Sequence, residues 1–116
     1  MLLKLALIQG IFYVATGVWP LIDIVSFQLV TGPKTDLWLV KTVGVLVTVI
    51  GLVLLSAARS RRITNEIVLL AAGSALALAG IDLIYALSGR ISAIYLGDAV
   101  VEIGLAVLWA LAWRRA

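Results

Sequence analysis

The chain has no cysteine and no histidine. The first absence removes disulfides, thiol nucleophiles and thiolate metal sites. The second removes the commonest haem and zinc ligand and the usual near-neutral acid–base group. Ser-His-Asp and Cys-His catalytic sets are excluded together. Charge is scarce as well, at 13% of residues, against about 25% in soluble domains. Proline occurs twice, as Pro20 and Pro33. No glycine-rich loop of the phosphate-cradling kind is present, and Gly97 and Gly104 fall inside an apolar run. No cofactor is expected.

Apolar residues are abundant. They make up 64% of 116 positions, with a mean hydropathy of +1.20. Soluble domains sit nearer 45–50% apolar, so the composition describes an integral membrane protein. The sequence pI of 9.7 would suit nucleic acid, but the basic residues cluster at the ends of apolar runs, as topology anchors do. Nucleic acid is therefore excluded as a partner.

The apolar pattern predicts a single all-α domain over residues 1–116, a left-handed bundle of four transmembrane helices. The spans are expected at about 2–20, 37–58, 65–87 and 92–113. A straight helix from Leu2 to Val30 would be about 42 Å long, too long for a hydrocarbon core of about 30 Å. Pro20 lacks a backbone donor, so a kink or break is expected near it. A short interfacial helix would follow over about 21–30. Thr35 or Asp36 is expected to cap the second span, with Trp38 at the interface, and Thr64 the third, with Glu66 in its first turn. Gly89 suits a left-handed cap at the end of the third span. Trp19-Pro20-Leu21 is not a small-x-small cleavage site, so the first span is expected to be retained.

Lys4, Arg59, Arg61, Arg62, Arg114 and Arg115 fall on one side of this topology, and only Lys34 and Arg90 in the loops opposite. That asymmetry places both termini in the cytoplasm, with a bacterial inner membrane as the expected setting.

Every span carries glycines seven apart: Gly10 and Gly17, Gly44 and Gly51, Gly73 and Gly80, Gly97 and Gly104. Seven residues make two turns, so each pair shares one helix face. Small residues let membrane helices approach closely, and all four pairs are expected to pack. The third span, rich in alanine and glycine, is expected to be the most buried.

Five ionisable residues lie within or beside these apolar runs: Asp23, Lys41, Asp82, Asp98 and Glu102. A charge at mid-membrane costs roughly 2.5–3.5 kcal/mol on insertion scales and normally faces a protein interior or a wet cavity. Helical spacing places Gln9, Tyr13, Thr16, Pro20 and Asp23 on one stripe of the first span. Lys41, Gly44, Thr48 and Gly51 share a face of the second. Asp82 and Tyr85 neighbour each other on the third, and Tyr95, Asp98 and Glu102 on the fourth. Four acids facing one ammonium cannot all stay charged in a low dielectric, so shared protons are expected. The pattern predicts an outward-facing acidic cavity, floored by apolar packing around Leu52 to Leu55 and Leu105 to Leu108.

The first functional expectation is binding or transport of a small cation or amphipathic amine, with proton exchange. Asp98 and Glu102 would form the carboxylate pair, Asp82 and Asp23 would line the mouth, Lys41 would tune the acids, and Tyr85 and Tyr95 would supply aromatic walls. The second is an accessory or assembly subunit, whose partners would be further copies or a larger membrane complex. The third is an acid–base enzyme acting on a lipid-soluble substrate, which no motif supports. No metal site is assigned.

Overall fold

The computed structural model describes residues 1–34 and 36–115, so the expected cap at Thr35 lies outside the described residues. Five helices follow one another: α1 (Leu2–Ile22), α2 (Ile24–Thr31), α3 (Leu37–Ser60), α4 (Asn65–Leu87) and α5 (Ile94–Arg115). All but α2 are long and apolar enough to cross a membrane. This is the expected membrane architecture, with a short helix between the first two spans.

Local chemistry explains the helix ends. The Thr64 hydroxyl accepts from Ile67 N at 3.3 Å and caps α4, as expected. Asp36 occupies the cap position of α3 but makes no side-chain cap bond. After α4, Gly89 adopts φ +79°. Gly89 N donates to Ala86 O at 3.2 Å and Arg90 N to Tyr85 O at 2.9 Å, a paired closure that satisfies two terminal carbonyls.

The break in the first segment falls at Asp23, near Pro20 as expected. Pro20 stays helical, since a proline removes one donor without forbidding helical φ. The chain leaves the helix three residues later, and Asp23 becomes the cap of α2, its Oδ1 accepting from Ser26 N at 3.1 Å. Trp19 fastens the corner. Its Nε1 donates to Ser26 Oγ at 2.9 Å, and its ring meets Phe27 edge-on at 5.3 Å.

The bundle is assembled as two pairs. α1 packs along α3, and α4 along α5, with shorter contacts of α1 to α5 and of α3 to α4. The Cα envelope is 42 × 28 × 17 Å. The α1–α3 seam uses glycine at both crossings. A Cβ on Gly17 would sit 2.7 Å from Gly44 O, and one on Gly51 would sit 2.8 Å from Gly10 O. Gly73, Gly80, Gly97 and Gly104 have nothing within 4 Å of such an atom. The expectation that all four glycine pairs pack therefore holds for two. Identical spacing defines a face but does not supply a neighbour for it.

The most buried helix is α1, with seven buried residues against four in α4. α1 lies between α3 and α5, while α4 turns only the Ala71, Ala75, Ala79 and Asp82 face inward. This corrects the expectation drawn from the small residues of α4. The main core joins Leu5, Ala6, Leu54, Ala71, Trp109 and Ala112.

Candidate functional site

Asp82 on α4 and Glu102 on α5 are buried, with 6% and 1% of their surface exposed, and Asp98 is half-buried beside them. The α4–α5 pairing sets these three acids on neighbouring helices. Tyr13 of α1 completes the cluster, its hydroxyl donating to Glu102 Oε2 at 2.7 Å. Asp82 differs. Its Oδ2 is buried without a hydrogen-bond partner among the described residues. Asp98 and Glu102 are both near enough to Asp82 to add like-charge repulsion. Neighbouring acids in a low dielectric repel one another unless a proton or a cation offsets their charge.

The other expected members stand apart. Asp23 is exposed and acts as the α2 cap. Lys41 is exposed on α3. It lies one turn from Gly44 on α3, which packs mainly on α1 rather than on the α4–α5 pair that carries the acids. Tyr85 is 37% exposed and does not wall the cluster. Thr48 bonds its own helix at Gly44 O, 2.7 Å away, rather than an acid.

Tyr95 is half-buried and faces Lys34, which lies in the loop after α2. Lys34 Nζ lies 5.0 Å from the Tyr95 ring centroid and 5.7 Å from that of Phe27. It donates to Thr31 O, Thr31 Oγ1 and Gly32 O at 3.0, 3.2 and 2.8 Å. An ammonium has three donors, so Lys34 is satisfied without a carboxylate. Neither lysine on this side of the bundle therefore neutralises the acids.

Below the acids the floor is partly polar, in contrast to the expected leucine layer. Gln9 is fully buried, donates Nε2–H to Ala71 O at 3.0 Å and accepts from Trp109 Nε1 at 2.6 Å. One amide thus ties α1 to both α4 and α5. Leu54 and Leu105 contribute to the floor, but Leu52 and Leu108 face outward. Trp109 was legible as a candidate. It follows Glu102 by seven residues on the same face of α5, and an indole N–H in that position needs an acceptor.

Among the described residues, no three His, Cys, Asp or Glu side chains are gathered closely enough to hold a metal ion. Two shallow depressions lie at the basic end of the bundle. The site and fold define a class, a polytopic membrane protein with a buried acidic cluster between two helix pairs. The chain matches no known protein family, no curated protein and no solved structure.

Proposed function

We propose that this protein takes up a small cation or amphipathic amine at Asp82, Asp98 and Glu102, in exchange for protons, from the side opposite its basic end. The observation that carries the reading is the Asp82 carboxyl oxygen, buried, unpartnered and beside a second acid. Buried charge needs compensation, and the chain supplies no lysine there. A proton meets the need when no ligand is bound, and a cation meets it by displacing the proton. The half-buried Asp98 offers the route in. Tyr13 holds Glu102 in place, and the closed Gln9–Trp109 contact seals the opposite side. By the distribution of Lys and Arg, the termini are cytoplasmic and the cluster opens outward.

The test is binding of a primary alkylammonium to the purified protein in detergent, measured by calorimetry across pH 5 to 9. Affinity should rise with pH, because fewer protons compete, and Asp82→Asn should abolish binding without unfolding the protein. Binding that ignores both pH and Asp82 refutes the proposal. A second reading, an accessory subunit of a larger assembly, is supported by the open glycine positions on α4 and α5. In that case cross-linking from Gly97→Cys in native membranes would yield a defined partner, and none would form if these faces meet only lipid.

A further inference from the structure

A groove of about 350 Å³ lies at the basic end of the bundle, on the α1–α3 face beyond the Gly10–Gly51 contact. Its apolar wall is formed by Leu3, Leu7 and Leu55. Three cations rim it: Lys4 from α1, Arg59 from the last turn of α3, and Arg61 just beyond. Arg59 has a purely local justification, since a cation at a helix C-terminus is favourable. Arg61 does not. It adopts φ +57° and ψ +33°, the left-handed conformation in which a side chain is strained.

The α4 end shows the cheaper solution to the same backbone problem. There Gly89 occupies the left-handed position of a paired closure. After α3 the closure is the same. Arg61 N donates to Ala58 O at 3.3 Å and Arg62 N to Ala57 O at 3.0 Å. Glycine is the usual residue at that position because it has no Cβ to strain. The helix dipole and the loop charge are already served by Arg59 and Arg62 without strain, and from its strained position the Arg61 side chain rims the groove.

From this combination we infer that the α1–α3 groove is a binding site for an anionic phospholipid. The phosphate would sit among Lys4, Arg59 and Arg61, with an acyl chain against Leu3, Leu7 and Leu55. The bilayer presents such a molecule at this depth, and basic pockets between membrane helices suit acidic headgroups. The site is separate from the acidic cluster, so the two proposals stand or fall independently.

Native mass spectrometry of the detergent-purified protein, titrated with phosphatidylglycerol or phosphatidylcholine, tests the assignment. The wild type should retain one phosphatidylglycerol in preference to phosphatidylcholine. Arg61→Gly, and separately Lys4→Gln and Arg59→Gln, should each weaken retention about fivefold. Arg62→Gln removes the same charge from the same loop but outside the groove, and should leave retention unchanged. Arg61→Gly should also melt no lower than wild type. Equal retention of the two lipids overturns the inference, as does an Arg62→Gln loss matching that of Arg61→Gly. A lowered melting temperature in Arg61→Gly shows that arginine serves the cap, and removes the strain argument. Displacement of the lipid by millimolar inorganic phosphate would reduce the site to a simple anion site and overturn the lipid assignment.

Discussion

Gly17→Ala and Gly97→Ala form a matched pair that separates packing from spacing. Both glycines belong to seven-residue pairs in apolar helices. At Gly17 the added Cβ would lie 2.5 Å from Thr48 Oγ1, 2.7 Å from Gly44 O and 2.8 Å from Thr48 N. Two of those atoms are backbone and cannot rotate away. Restoring ordinary contact requires α1 and α3 to separate by about 0.7 Å, and a gap of that size forfeits a quarter to a half of each contact's dispersion energy along the seam. Overpacking of this kind costs about 1–3 kcal/mol. At Gly97 the new methyl meets nothing within 4 Å. That variant should be neutral or gain up to about 1 kcal/mol from the better helix propensity of alanine. Equilibrium unfolding in mixed micelles of mild detergent and dodecyl sulfate, followed by circular dichroism, measures both. Equal destabilisation by the two substitutions would refute the argument, because it would mean that the α5 glycines are also closely packed. An unaffected Gly17→Ala would refute it from the other side.

Gln9→Leu should destabilise the protein by about 1–3 kcal/mol by orphaning the buried Trp109 Nε1–H, whereas Ala71 O keeps the Ser74 hydroxyl as a donor. Loss of the Gln9 acceptor should also shift Trp109 emission, while Gln9→Glu, which keeps an acceptor, should preserve more of the fold. Tyr13→Phe should cost about 1–3 kcal/mol by leaving Glu102 Oε2 without its donor, read by the same unfolding assay. Lys41→Gln should change stability by less than about 0.5 kcal/mol, since the side chain is exposed and remote from the acids. A large loss would return Lys41 to the cluster. Lys34→Met should speed amide hydrogen exchange over residues 28–34, because the ammonium holds two carbonyls of that turn and two aromatic rings.

What the sequence determined by itself was local. Each long apolar run became a spanning helix because a backbone in hydrocarbon must satisfy its own hydrogen bonds. Thr64 and Gly89 ended α4 as expected because a cap depends on a few adjacent residues. Helical spacing also placed Asp98 and Glu102 on one side of α5, and Gln9 and Tyr13 on one side of α1. The partner of each face was a different matter. Gly10 and Gly97 have the same periodic setting, yet one touches a neighbouring backbone and the other has open space beside it. Asp23, Lys41 and Asp82 read alike as charges in or near apolar runs. The local turn at Ser26 made Asp23 a cap, while only the pairing of α1 with α3 and of α4 with α5 left Lys41 outside and buried Asp82. Periodicity assigns residues to a side of a helix. Which sides meet depends on contacts between segments far apart in the chain, and those exist only once the helices have packed.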